Sequence, residues 1–192
     1  MSIVCAVIKE GVIAISSDTQ TNFGSLKVSA KHLKNSNKLY EINESVMGLV
    51  GWSAISDIIE HLIGNNPKLF KLNNKMEIFS TLLRLQKKMT EKYFIETSEE
   101  DDDQPVESNQ LEALIINKQG LFGISSYREV NEYNTFWAIG SGNRLALGAM
   151  HTLYETEASS QDIAEAGVKA AAEFDENCNL PLNTKIIKIE TE

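Results

Sequence analysis

Apolar positions along the chain fall into short unbroken runs, then into helical stripes, and the two kinds of pattern come in blocks. Ile3 to Ile8 is a continuous apolar run, Lys9-Glu10-Gly11 is a turn, and Val12 to Ser16 resumes with β-branched residues, which predicts a hairpin. A polar stretch from Thr19 to Asn37 follows, and then Lys38 to Ile42 and Val46 to Val50 form a second strand pair about the turn Asn43-Glu44-Ser45. Two helices come next. Ser53 is placed to cap a segment with Ile55, Ile58, Ile59 and Leu62 on one face and Gly64 as its stop. Lys75 to Phe94 carries Ile78, Phe79, Leu82, Leu83, Met89 and Tyr93 as a second stripe, read as core.

Strand pattern returns at Leu111 to Ile116, Leu121 to Ser125 and Phe136 to Ile139. Gly140-Ser141-Gly142 then turns the chain into a helix from Asn143 to Tyr154. A further helix, entered through Ser159 or Ser160, places Ile163, Gly167, Ala170 and Phe174 on one face, and Lys185 to Ile189 is a closing strand. Strands cluster and helices come in pairs, so the order is not the alternation of a parallel βαβ sheet. It predicts a layered α+β sandwich in which helix pairs cover antiparallel sheets.

Composition narrows the class. The chain has 192 residues, 42% hydrophobic and 23% charged, with only 11 Gly and 3 Pro, which predicts one globular domain over 1–192 and excludes wholesale disorder. The net charge of −9 argues against nucleic-acid and anionic-membrane partners, which call for Lys and Arg. Seven carboxylates and no cation lie between Glu96 and Glu107, so the segment 96–108 reads as an acidic surface loop and the remainder is close to balanced. No apolar run is long enough to span a bilayer, and Met1-Ser2-Ile3-Val4-Cys5 lacks a basic start and a cleavage site, so the expected location is cytoplasmic. Cys5 and Cys178 are the only cysteines, and His32, His61 and His151 are scattered, so neither a metal nor a cofactor is expected.

Three places were weighed for chemistry. In Gly140-Ser141-Gly142, Leu145 stands where a dinucleotide fingerprint needs its third glycine, and Ile139 and Asn143 stand two residues either side of Ser141, where a nucleophile elbow needs glycines. The N-terminus offers more. Ser2 has a small side chain, so removal of Met1 is expected to leave a hydroxyl and an α-amine on one residue, and an amine that titrates near neutrality can take the proton of its own hydroxyl. The hairpin that Ser2 opens ends at Ser17-Asp18, and the next strand pair begins at Lys38, so a lysine and a carboxylate could meet the serine at one end of a sheet. Taken singly, Asp18 and Lys38 are ordinary strand-end charges.

Ser2-Ile3-Val4-Cys5-Ala6-Val7, Gly11-Val12-Ile13, Ser17-Asp18-Thr19-Gln20, Asn37-Lys38-Leu39-Tyr40-Glu41-Ile42, Gly48-Leu49-Val50-Gly51 and Ala138-Ile139-Gly140-Ser141-Gly142, in this order and spacing, resemble a proteasome β-type subunit and the related bacterial ATP-dependent peptidase. The resemblance implies an N-terminal-nucleophile hydrolase with a four-layer αββα sandwich, assembled in homo-oligomeric rings around a chamber where unfolded protein or peptides are cleaved. It implies Ser2 as nucleophile, Lys38 as the lysine beside it, Asp18 as the carboxylate that orients that lysine, and Ser141 and Asp175 as the polar groups that hold the α-amine and its proton-transfer network. The resemblance also implies that backbone N–H groups at Gly51 and Trp52 take the oxyanion position, and that an ATP-dependent unfoldase is a partner.

This sequence departs from the family pattern at four points. Ser2 stands for a threonine, Trp52 for the oxyanion glycine and Cys178 for a serine, and a long Asp18-to-Lys38 segment leaves Lys34 as a rival for the lysine. A ring subunit that does not catalyse, and a small-molecule amidase of the same fold, are the alternative functions.

Overall fold

Strands with no polar face need cover on both sides. The computed structural model, which describes residues 2–97 and 106–189, supplies that cover with stacked sheets and two helical layers. In chain order the elements are β1 (Ile3–Lys9), β2 (Val12–Asp18), β3 (Thr21–Phe23), β4 (Leu26–Val28), β5 (Leu39–Ile42), β6 (Ser45–Val50), α1 (Ser53–Asn65), a 3-10 turn (Pro67–Leu69), α2 (Lys75–Tyr93), β7 (Glu112–Asn117), β8 (Gly120–Ile124), β9 (Val130–Tyr133), β10 (Phe136–Gly140), α3 (Asn143–Tyr154), α4 (Ser160–Phe174) and β11 (Leu182–Lys188). One sheet runs β10-β1-β2-β11 and a second runs β5-β6-β7-β8-β9, every pairing antiparallel, while β3 and β4 form a separate hairpin.

The period of two along each strand sorts the side chains into three cores. On β1, Ile3, Cys5 and Val7 join α3 and α4 residues Ala146, Met150, Ile163 and Val168. The alternate residues Val4 and Ala6 meet Ile13, Ile15, Leu39, Val46, Leu114 and Ile116 between the sheets. Met47, Leu49, Ala113 and Ile115 point the other way and pack under Ile55, Ile59, Ile78, Leu82 and Leu85 of α1 and α2. Helix pair, sheet, sheet, helix pair is the four-layer αββα sandwich that the resemblance implied.

Local chemistry explains most boundaries. Glu10 and Gly11, at φ of 51° and 73°, both take the left-handed conformation that a two-residue turn between Lys9 and Val12 requires. Asn74 caps α2 by accepting from Glu77 N–H at 3.0 Å. Ser159, rather than Ser160, caps α4 and forms a capping box with Asp162.

The structure corrects several expectations. Trp52, not Ser53, is the N-cap of α1, with no side-chain cap bond. Phe79 and Leu83 on α2 are 39% and 49% exposed, because Thr81 and Leu85 complete the buried stripe in their place. Phe174 is exposed, and α4 buries Ala164, Val168 and Ala171 beside Ile163 and Gly167. The polar stretch after Thr19 contains the β3–β4 hairpin, and β9 was not anticipated. Both are short strands whose polar side chains give no alternation to read. Most of the expected acidic loop, residues 98–105, lies outside the described residues.

Gly48 on β6 faces Val4 and Ile15 of the opposite sheet with no room for a side chain. A Cβ there would sit 2.5 Å from Val4 Cγ1 and 3.0 Å from Ile15 Cδ1. Gly48→Ala is therefore expected to lower stability by about 1–3 kcal/mol through overpacking, measured by urea denaturation, and an unchanged midpoint would refute this reading of the sheet spacing.

Candidate active site

Antiparallel pairing brings the start of β1 to the ends of two neighbouring strands. Val4 pairs with Ser17 on one side, and Ile3 pairs with Gly140 on the other. Ile3 therefore faces Asp18, and Ser2, one step further out and buried, follows in register between Thr19 and Ser141. The start of β11 arrives at the same end, where Leu182 pairs with Asp18.

Asp18 has no solvent exposure. A buried carboxylate is costly unless its lone pairs are met, and here they are. Oδ1 accepts from Ile3 N–H at 3.0 Å and from Lys38 Nζ at 2.6 Å, while Oδ2 accepts from Gln20 N–H at 3.0 Å and Asn179 N–H at 3.3 Å. Lys38 belongs to the other sheet, just before β5, so its ion pair crosses the gap between the layers. Burial pushes the Lys38 ammonium below the ordinary lysine range, and Asp18 works against that shift through charge and hydrogen bonding. Lys34 is exposed on the connection between β4 and β5.

The Ser2–Ile3 peptide unit is held at both poles. Its N–H, from Ile3, goes to Asp18, and its carbonyl, Ser2 O, accepts from Ser141 Oγ at 3.4 Å. Gly140 completes the grip. Its φ is 102°, and a Cβ on it would fall 2.1 Å from Ser2 O, so only glycine lets the end of β10 lie against the serine carbonyl.

Ser141 Oγ also lies 3.9 Å from Cys178 Sγ. Burial, with Asp18 and Asp175 adding to it, pushes the Cys178 thiol up to about 12. The thiol is therefore neutral and unsuited to act as a nucleophile. Asp175 is the C-cap of α4, and its Oδ1 accepts from Asn177 N–H at 2.8 Å and Asn177 Nδ2 at 3.1 Å.

Gly51, at φ 122°, turns the chain out of β6 just beyond Val50, which shares the intersheet core with Val4. The following Trp52 opens α1, and its side chain is 73% exposed, so the indole does not fill the interior. Turn and helix start together leave backbone N–H groups at the positive end of the α1 dipole. A surface cavity of about 760 Å³ between Lys75 and Phe79 of α2 and the Tyr127-Arg128 connection shares no residue with this cluster.

Sequence reasoning named Ser2, Asp18, Lys38, Ser141 and Asp175 but missed the amide-bearing residues around them. The two-residue spacings of Asp18 and Gln20 and of Asp175 and Asn177 carry the signature of a carboxylate that accepts from the backbone N–H two residues on.

An αββα sandwich with a buried serine at the head of its first strand and a lysine–carboxylate pair beside it belongs to the class of N-terminal-nucleophile folds. The family model described as proteasome subunit matches residues 1–189, and the chain belongs to that family. Among solved structures it is similar to Thiobacillus denitrificans BPH, at 31% identity over 99% of this chain and 100% of that one, with a TM-score of 0.92. The same protein in complex with epoxomicin gives 30% identity, coverage of 98% and 100%, and a TM-score of 0.89. Eukaryotic HslV from Trypanosoma brucei, at 17% identity, coverage of 97% and 99%, and a TM-score of 0.67, shares the fold. Comparison with curated protein sequences gives no match.

Because Asp18 is the group that holds the Lys38 proton against the effect of burial, Asp18→Asn is expected to shift the Lys38 titration to lower pH than in the unaltered protein. A carbon-detected titration of Lys38 Cε reads this directly, and a midpoint that stays or rises would contradict the assignment.

Proposed function

We propose that this proteasome-family subunit is a peptidase whose nucleophile is Ser2, its α-amine exposed by removal of Met1. The observation that carries the reading is the clamp on the Ser2–Ile3 peptide unit, with Asp18 on the N–H, Ser141 on the carbonyl and Lys38 paired to the same Asp18. Fixing both poles fixes the direction in which Ser2 presents its hydroxyl and amine, and such positioning is a large part of catalysis.

In the reaction, Ser2 Oγ bonds to the carbonyl carbon of a peptide while its proton passes to the α-amine. The positive charge of Lys38 stabilises the alkoxide as it develops, and N–H groups at Gly51 and Trp52 receive the carbonyl oxygen as it becomes anionic. The tetrahedral adduct collapses, the C–N bond breaks, and the leaving amine takes the proton from the α-amine. Water then hydrolyses the acyl ester by the same route, with Ser141 and Asp175 holding the amine and its proton network. Serine in place of threonine keeps the hydroxyl and gives up the methyl that restricts χ1, so the clamp carries more of the orientation.

The family membership and the likeness to BPH, one structure of which is a complex with epoxomicin, support a proteolytic role. We extend this to residues 1–192 acting as one unit in a homo-oligomeric ring, fed with unfolded chains by an ATP-dependent unfoldase, in the cytoplasm. Among the described residues no helix is long and apolar enough to cross a membrane. A second reading, a ring subunit without activity, rests on Trp52 standing where the family has glycine.

One experiment separates the two. Exposed to an active-site-directed peptide electrophile, the peptidase carries the adduct on Ser2 of a chain lacking Met1, and Ser2→Ala abolishes both adduct and fluorogenic-peptide hydrolysis, a loss of ~10⁴-fold or more. Hydrolysis that survives Ser2→Ala would sink the assignment. A chain that forms rings yet takes no label would favour the second reading.

A further inference from the structure

The two carboxylates of the site are joined, through the Gln20 backbone N–H and then the side-chain amides of Gln20, Asn22 and Asn177, by a line that the proposed reaction does not use. Gln20 N–H donates to Asp18 Oδ2 at 3.0 Å, and Gln20 Nε2 donates to Asn22 Oδ1 and to Glu176 O, each at 2.8 Å. Asn22 Nδ2 donates to Asn177 Oδ1 at 2.8 Å, and Asn177 Nδ2 donates to Asp175 Oδ1 at 3.1 Å.

The direction of this line is dictated at both ends. A carboxylate only accepts, so Asn177 must turn its NH₂ to Asp175 and its oxygen to Asn22. Asn22 must then donate to Asn177 and accept from Gln20. A backbone carbonyl also only accepts, and Glu176 O makes the same demand on Gln20 Nε2 from the other end. The two demands agree.

Asp175 has particular need of these donors. It caps the C-terminus of α4, where unsatisfied carbonyls make the helix end negative and disfavour a carboxylate. Asn177 answers with two donors on one oxygen, its backbone N–H and its side-chain amide. Only the second can rotate away, and Asn22 holds it. Asn22 sits on β3, in a hairpin whose tip residues Phe23 and Leu26 are 61% and 63% exposed and belong to none of the three cores.

We propose that Asn22 and Asn177 are positioning residues, which hold the Asp175 carboxylate in its working orientation from the β3 hairpin. The proposal rests on the peptidase reading, in which Asp175 serves the proton network of the α-amine. Since Asn22 is only half-buried and outside the cores, its loss is felt at the site and not in the fold.

The test compares Asn22→Leu, which removes the amide at similar volume, with Asn22→Asp, which keeps the acceptor for Gln20 but sets an acceptor against Asn177 Oδ1. Both are expected to lower kcat on a fluorogenic peptide by ~10-fold while KM and Tm stay within error, since misplaced groups cost turnover before binding. In an Asn177→Ala background, Asn22→Leu should change nothing further, because the two act in one line. The crystal structure of the Asn22→Leu variant should show the Asp175 carboxylate turned from its present place.

Retention of kcat within about twofold by both variants, or an Asp175 carboxylate that keeps its place, overturns the proposal. Unaltered protein no more active than Ser2→Ala overturns the peptidase reading instead, and the crystallographic arm then decides on Asn22 and Asn177 alone.

Discussion

Asp18 is buried at the one point where the two sheets and the loop after α4 converge, and it takes a donor from each. Ile3 N–H belongs to the sheet that carries the serine, Lys38 to the opposite sheet, and Asn179 N–H to the loop that returns from α4 to β11. Leaving such a carboxylate unpaired in the interior costs several kcal/mol, so the elements around it are not independently placed. The geometry of the candidate nucleophile follows from that constraint. The β1 peptide donates to the same oxygen that pairs with Lys38, so a shift of either sheet relative to the other disturbs the serine and its neighbouring cation together.

The hydrophobic packing and the polar centre solve complementary problems. Three apolar layers, the middle one fed by both sheets and each outer one by the opposite face of a single sheet, hold the sheets face to face without fixing their position along the strands finely. Directional bonds at one end of the sandwich do that. The neutral Cys178 thiol sits where these systems meet, packed in the core under α3 and α4 and within 3.9 Å of Ser141.

The parts of this architecture legible in the sequence were those with a strong period or a strong chemical identity. Ile3 to Ile8, Val46 to Val50 and Leu111 to Ile116 read as buried strands because they have no polar face. Asp18 and Lys38, ordinary strand-end charges taken singly, stand out because the order of the strands sets them beside Ser2 at one end of a sheet. What stayed hidden depends on tertiary placement. Phe79, Leu83 and Phe174 are apolar residues at helical spacing that face outward, and nothing local distinguishes them from Ile78 or Ile163. The need for glycine at 140 arises from a carbonyl 138 residues away in sequence, at Ser2. The ion pair that sets Lys38, and not its rival Lys34, beside Asp18 forms only across the gap to the second sheet.

Strand β1 works as a ruler. It is paired on both sides, by β2 and β10, and its alternate residues are committed to different cores, so it has no freedom to slide. Adding or deleting one residue within it would exchange the Ile3-Cys5-Val7 set with Val4-Ala6 and present large side chains to Gly48 and small ones to α4. The chain therefore cannot absorb a length change inside this strand by shifting its end. The distance from Lys9 to the head of the strand is a measured quantity, and Ser2 lies at the site because it is the residue at which that measure stops.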